Sequence, residues 1–256
     1  MLVAIDVGNT QTVMGLFDGA ELVDQWRLST VRERTADEYK LFFAGLLRQD
    51  GYHLADVTGV AISSVVPTAK EEIVQVGREL VDGPLLVVGP GIRTGMAITI
   101  DNPKEVGADR VVNAVAALHR YGAPVVAVDF GTSTNFDVVD RSGAYVGGVI
   151  APGLGVSEDA LIAATAALRR VETKAPPCVI GRNTVEAMQS GLVLGHAGMV
   201  DGIVERILAE LGGEAAVVAT GGLAVTIVPH CRTVARVDET LTLDGLRLLY
   251  ELNVEG

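Results

Sequence analysis

Short apolar runs broken by turn residues fill the first part of the chain. Leu2–Ile5, Thr12–Phe17 and Glu21–Leu28 read as three strands, the last two joined by the hairpin dipeptide Asp18-Gly19. The period then lengthens. Tyr39, Phe42, Phe43, Leu46 and Leu47 recur at helical spacing. Ahead of them, Thr35-Ala36-Asp37-Glu38 fits a capping box, and Gly51 follows as a stop. Val57–Ser63 is a strand ended by Val65-Val66-Pro67; a helix runs on through Leu80; Leu85–Val88 is a strand closed by Gly89-Pro90-Gly91. Residues 92–108 read as irregular, with one short strand at Ala97–Ile100. A helix from Asp109 to Tyr121 turns Val111, Val112, Val115 and Leu118 inward and ends at Gly122.

The opening pattern then returns. Val125–Val128, Asn135–Val139 and Tyr145–Ile150 read as strands, with turns at Asp129-Phe130-Gly131-Thr132-Ser133 and Arg141-Ser142-Gly143. Laying Asp6 over Asp129 puts Gly8 on Gly131, Asn9 on Thr132, Thr10 on Ser133, and Gly19 close to Gly143. This is an internal duplication. Helices follow: an alanine-rich one over Asp159–Arg170, then, past the break at Pro176-Pro177, a long one over Thr184–Leu211. A strand at Ala216–Ala219 runs into Thr220-Gly221-Gly222, and Leu241–Asn253 is a final helix. The pattern predicts an α/β protein of two related domains, residues 1–122 and 123–256, each a mixed sheet flanked by helices, with a cleft between them.

One feature of the long helix is unusual. Gly191, Gly195, Gly198 and Gly202 share one stripe, at a cost of roughly 0.5–1 kcal/mol each relative to alanine. Close approach of another backbone would offset that cost, and it could come from the same chain or from another subunit.

Composition removes several classes of function. The net charge of −12 over 256 residues is opposite in sign to what a phosphate-tracking nucleic-acid binder needs. Nearly half the residues are hydrophobic, yet no apolar run approaches the ~18 residues of a membrane span. The start, Met1-Leu2-Val3-Ala4-Ile5-Asp6, has no basic n-region, so a cytoplasmic protein is expected. Cys178 and Cys231 lie far apart, and no disulfide is expected of them. The four histidines show no metal-ligand spacing.

The chemistry lies in the turns. In Asp6-Val7-Gly8-Asn9-Thr10-Gln11-Thr12-Val13, an aspartate ends a strand and faces a tight turn. Gly8 lets the backbone approach a phosphate, successive N–H groups can form an anion nest, and Asp6 can hold Mg²⁺. The same residues could simply cap a hairpin. Finding the unit twice, with a late Thr-Gly-Gly turn, favours a nucleotide site.

These turns resemble those of the actin/hexokinase/Hsp70 superfamily, whose domains are actin/ribonuclease-H-like. Further stretches resemble type III pantothenate kinases in the family's order over nearly the whole chain. They include Ile62-Ser63-Ser64-Val65-Val66-Pro67, Asp101-Asn102-Pro103 leading to Gly107-Ala108-Asp109-Arg110, and Asp129-Phe130-Gly131-Thr132. Later come Gly147–Gly153, Asn183-Thr184 and Leu241–Leu246. Gly107–Arg110 is the most specific of these.

The resemblance implies that Asp6–Val13 binds ATP phosphates and Mg²⁺. It makes Asp109 the general base for the substrate hydroxyl and sets Gly107, Ala108, Asp109 and Arg110 in the pantothenate pocket. It gives Asp129 a monovalent cation, K⁺ or NH₄⁺, and brings Thr132 to ATP. It implies a homodimer in which Thr184 reaches substrate across the interface. Read without the resemblance, Asp109 could merely cap its helix. Ile100 stands where the family often has an aromatic residue, and Asn135 where it often has Thr; both bear on pocket detail. Another small-metabolite kinase of the superfamily, or a non-catalytic regulator of the same fold, are the rival readings. The first should lack Gly-Ala-Asp-Arg, and the second should have lost acidic positions that are intact here.

Overall fold

The computed structural model describes residues 1–255. The chain divides into two compact units. One comprises Met1–Ala97, Asp101–Ala116 and the segment from Leu241 onward; the other comprises Ile98–Ile100 and Ala117–Thr240. The boundary read from the repeat therefore differs from the compact units in one main respect, because the last helix joins the first unit.

The first unit carries strands β1 (Leu2–Val7), β2 (Gln11–Asp18), β3 (Glu21–Ser29), β4 (Gly59–Ser64) and β5 (Leu85–Val87), in the sheet order β3-β2-β1-β4-β5. The β1–β2 and β2–β3 pairs are antiparallel, and the β1–β4 and β4–β5 pairs are parallel. Val3, Ile5 and Val7 of β1 enter a core with α1 (Ala36–Gln49) and α2 (Pro67–Leu80), whose Tyr39, Phe43, Leu47, Ile73 and Val76 are buried. Each such side chain contributes about 1.5–3 kcal/mol when fully buried. The capping box predicted for α1 is present: Glu38 N donates to Thr35 Oγ1 at 3.4 Å, and Thr35 N donates to Glu38 Oε2 at 2.9 Å. Side chains alternate along a strand, so Ala4 and Asp6 face the opposite side. There Gly15, paired with Ala4, meets Leu243 of α8 (Leu241–Tyr250).

In the second unit, β6 (Val125–Phe130), β7 (Ser133–Val139), β8 (Tyr145–Pro152), β9 (Ala216–Thr220) and β10 (Arg236–Val237) form the order β10-β9-β6-β7-β8. Read in reverse, this is the order and polarity of the first sheet, so the predicted duplication holds strand for strand. Val126, Val128 and Phe130 pack against α6 (Gly195–Glu210), through Val193, Ala197, Val200 and Val204 on that helix and the turn before it.

Several predicted elements shift. The alanine-rich helix expected over Asp159–Arg170 is α4, Leu154–Ala163. Past it, Arg170 returns to pair with Glu158 at 3.2 Å, and Val171 N donates to Glu158 Oε1 at 2.8 Å. That draws the chain off the helix axis. The long helix predicted from Thr184 is α5 (Thr184–Gln189) and α6, linked by a π-helical turn over Ser190–Leu194. Residues 97–100 contribute one parallel bridge, Ile98 to Tyr145, to the second unit. Elements not anticipated include α7 (Ala224–Ile227) and the two-residue β10. The last helix gives way at Glu251 to a π-helical turn over Glu251–Glu255. Among the described residues no helix is long and apolar enough to cross a membrane.

Candidate active site

Asp6 and Asp129 occupy matching places in the two sheets. Asp6 pairs with Val13 across the antiparallel ladder and with Ser63 across the parallel one; Asp129 pairs with Asn135 and with Thr220. Ser63 and Thr220 are both buried hydroxyl residues. Ser63 Oγ makes no hydrogen bond among the described residues, an arrangement that suits a site completed by a ligand.

The turn after Asp6 closes with Gly8 N donating to Gln11 O at 3.0 Å. Asn9, Thr10 and Gln11 are exposed, Val7 is buried, and Val13 is half-buried. Thr12 is buried, its hydroxyl 2.9 Å from that of Thr30. The second turn is one residue shorter: Gly131 N donates to Ser133 O at 3.0 Å, with Gly131 and Thr132 exposed. Ladder register therefore aligns Thr12 with Thr134, each opposite the residue that follows the aspartate. Thr134 Oγ1 lies 2.8 Å from Nε2 of buried His196, whose pKa burial lowers.

Glycines surround the second turn. An ideal Cβ at Gly153 would stand 2.3 Å from Thr132 O, and one at Gly221 would stand 2.5 Å from Asp129 Oδ1. Gly221 also has φ +90°, a conformation that glycine adopts freely. The late Thr-Gly-Gly turn thus lies against the Asp129 carboxylate. Phe130 N and Phe130 O are close by, each 2.7 Å from the same Cβ position, so only a glycine fits against this strand end.

Asp109 lies in the first turn of α3 (Ala108–Tyr121). Its Oδ1 accepts the Arg110 amide at 2.8 Å. Burial raises its pKa, and the Arg110 amide and guanidinium only partly oppose that. A half-buried carboxyl at a helix start, with its pKa raised, has the character of a proton acceptor. The helix is fixed from behind by α8. Thr242 Oγ1 donates to Asn113 Oδ1 at 2.8 Å, one turn beyond Asp109, and a Cβ on Gly245 would meet Val112 O at 2.3 Å. The stretch Leu241–Leu246 is therefore a clamp on the helix that carries Asp109. Sequence reading missed Asn113, although its spacing from Asp109 was visible.

Asp6–Val13 and Gly107–Arg110 belong to the first unit, and Asp129, Thr132 and Thr184 to the second. Thr184 is exposed and opens α5, whose N-cap Asn183 accepts Glu186 N at 2.9 Å. The glycine stripe also resolves. At Gly191, Gly195 and Gly198 no heavy atom of the described residues outside their own stretch of helix lies within 4 Å of an added Cβ, so these three do not serve packing among the described residues.

Comparison with known proteins agrees with this arrangement. The family model described as type III pantothenate kinase matches residues 2–206. A type III pantothenate kinase of Moorella thermoacetica is 50% identical over 253 residues, covering 99% of this chain and 100% of that one. One from Frankia alni is 53% identical over 255 residues, with 99% and 100% covered. Among solved structures, the inorganic polyphosphate/ATP-glucomannokinase of Arthrobacter sp. strain KM has TM-score 0.51 at 14% identity, covering 100% of this chain and 99% of that one. Component A of (R)-2-hydroxyglutaryl-CoA dehydratase from Acidaminococcus fermentans has TM-score 0.57 at 15% identity, with 97% and 96% covered. These two likenesses concern the fold. With the matched region, the identities and the intact Asp6, Gly107–Arg110 and Asp129 elements together, the chain belongs to the type III pantothenate kinase family.

Proposed function

We propose that this chain is an ATP-dependent kinase that transfers the γ-phosphoryl group to the hydroxyl of pantothenate, giving 4′-phosphopantothenate, the first step of coenzyme A biosynthesis, in the cytoplasm. The observation that carries the reading is Asp109, a half-buried carboxylate with raised pKa in the Gly-Ala-Asp-Arg element of the family. Phosphoryl transfer depends on positioning, on neutralising charge, and on a carboxylate that orients the attacking hydroxyl. Asp109 accepts that proton as the oxygen–phosphorus bond forms, while Gly107, Ala108 and Arg110 line the pantothenate pocket. Arg110 offers its guanidinium to an oxygen anion of substrate or product.

The Asp6–Val13 turn and Thr132 receive ATP. Among the described residues no group of three His, Cys, Asp or Glu could hold a metal, so a Mg²⁺ here would rest on Asp6 and the nucleotide's own oxygens. Bound there, it supplies neutralisation of phosphate charge. Asp129, whose carboxylate lies against Gly221 at the end of β6, is the residue that would hold K⁺ or NH₄⁺.

The enzyme works as a homodimer in which Thr184 serves the partner's substrate. Val179, Ile180 and Val185 are exposed around the start of α5, and the outward glycine stripe follows on the same helical stretch. Covering such apolar surface favours association.

The test is a coupled assay of ADP production with pantothenate and a panel of small alcohols. Turnover with pantothenate at least ~10²-fold above the other alcohols is expected, a discrimination of about 2.7 kcal/mol. Turnover with another alcohol instead, or none at all, overturns the substrate assignment.

A further inference from the structure

Gly107 carries no side chain for a reason that lies in its own neighbourhood. An ideal Cβ built there would stand 2.6 Å from Asp109 Oδ1, closer than real Cβ contacts allow. The next nearest atoms, Arg110 Cγ and Asp109 Cγ, are both at 3.8 Å, an ordinary contact. The conflict is thus with one atom, the carboxylate oxygen. The backbone at Gly107 is not in the left-handed region, so its conformation does not demand glycine. The space is what demands it.

That oxygen has a fixed post. Oδ1 accepts the Arg110 amide at 2.8 Å, which folds the Asp109 carboxylate back onto the first turn of α3. The backbone under it is held as well, because Val111 N donates to Gly107 O at 3.2 Å and closes the first helical turn. A methyl group at position 107 therefore meets a rigid backbone on one side and a rotatable carboxylate on the other. The rotation is the cheaper relief. It breaks the hydrogen bond from the Arg110 amide and carries both carboxylate oxygens away from their set position.

We propose that Gly107 is a positioning residue for the catalytic carboxylate: its missing side chain is the space that holds Asp109 Oδ1 on the Arg110 amide. This rests on the reading of Asp109 as the general base. It departs from a role for Gly107 confined to lining the pocket, because Gly107 then acts through Asp109 and need not touch substrate.

The experiment is a double-mutant cycle of Gly107→Ala and Asp109→Asn, reading kcat and the KM for pantothenate in full-length protein. Displacing a reacting group by about 1 Å costs on the order of 10²-fold in rate. Gly107→Ala alone should therefore lower kcat by about 10²-fold and leave KM within about threefold. With Asp109→Asn already in place, adding Gly107→Ala should lower kcat by less than about threefold further, since the group it displaces no longer acts. A Gly107→Ala enzyme with normal kcat, or with a raised KM and normal kcat, overturns the proposal. So does an equal kcat penalty in both backgrounds. If Asp109→Asn alone keeps wild-type turnover, the base assignment fails and the proposal fails with it, a result distinct from the others. Should Gly107→Ala fold poorly, the same cycle is read on Tm with Asp109→Ala, which removes the oxygen. A Tm loss that disappears in that background supports the conflict, and an equal loss overturns it.

Discussion

Asp129 and Gly221 share one small volume: a Cβ on Gly221 would stand 2.5 Å from Asp129 Oδ1 and 2.7 Å from both the amide nitrogen and the carbonyl oxygen of Phe130. Gly221→Ala should therefore push the carboxylate out of place, and its φ of +90° adds strain of about 1–2 kcal/mol. Wild-type ADP production should run faster in K⁺ or NH₄⁺ than in Na⁺, and both Gly221→Ala and Asp129→Asn should remove that preference. Rates measured in matched K⁺ and Na⁺ buffers decide it. Equal wild-type rates would take Asp129 out of the cation role.

Asp109→Asn should lower kcat by about 10²–10⁴-fold, the usual range for a general base. The ATP KM should change little. The fold should persist, because asparagine can still accept the Arg110 amide that Asp109 Oδ1 accepts now. Circular dichroism with steady-state kinetics checks both halves, and a variant within threefold of wild-type turnover would return Asp109 to a helix-capping role.

Burial raises the Asp109 pKa while the Arg110 amide and guanidinium pull it down. Only the ionised carboxylate can take a proton, so kcat should fall as pH drops through a value above the ordinary aspartate range. Removing the guanidinium removes one of the opposing influences. Arg110→Ala should then shift the acidic limb to higher pH, the sign expected when a positive neighbour is lost. A limb that stays put or moves down would contradict the pairing.

Asp238 is buried, and it gathers Arg120 Nη1 at 2.5 Å, Tyr121 Oη at 2.7 Å and Thr240 N at 3.2 Å. Burial alone would raise its pKa, but these partners outweigh it and the net shift is downward. The carboxylate therefore stabilises the fold above the unfolded-state pKa of about 3.9, and that contribution is lost as pH falls through the lower folded value. Asp238→Asn should cost about 1–3 kcal/mol near neutrality. Its stability should also fall less steeply on acidification than wild type does. Urea titrations at pH 7 and below pH 4 measure both.

Subunit sharing at Thr184 is tested by mixing. Asp109→Asn and Thr184→Val proteins are combined under conditions that exchange subunits. If sites are shared, a hybrid dimer gathers both lesions in one site and leaves the other intact, so activity should exceed the sum of the parents. Additive activity would mean that Thr184 serves its own chain. Sedimentation as a monomer at assay concentration would dispose of the idea earlier.

Some of this architecture was open to sequence reading because its signals are local. The capping box at Thr35 and Glu38 lies within one helical turn, and the repeated Asp-x-Gly turns sit between period-two apolar runs. Other features were hidden because they depend on distant residues. Alanine content overstated α4, because the chain past Ala163 turns back so that Val171 N meets Glu158. The strand Arg236–Val237 is short and exposed, so it has no apolar pattern to betray it. Gly153, Gly221 and Gly245 stood in recognisable motifs, yet what each makes room for lies elsewhere in the chain: Thr132 O, Asp129 Oδ1 and Val112 O.

The docking of α8 has a consequence for the order in which this protein can be made. Tyr250 covers Gly59 at the start of β4, and Gly245 lies against Val112, so the first sheet is finished by a segment that leaves the ribosome long after its strands. Domains usually mature from the N-terminus during synthesis. Here the strands of the first sheet wait, one face uncovered, until α8 arrives, and a nascent chain stopped before Leu241 would present that uncovered face to chaperones.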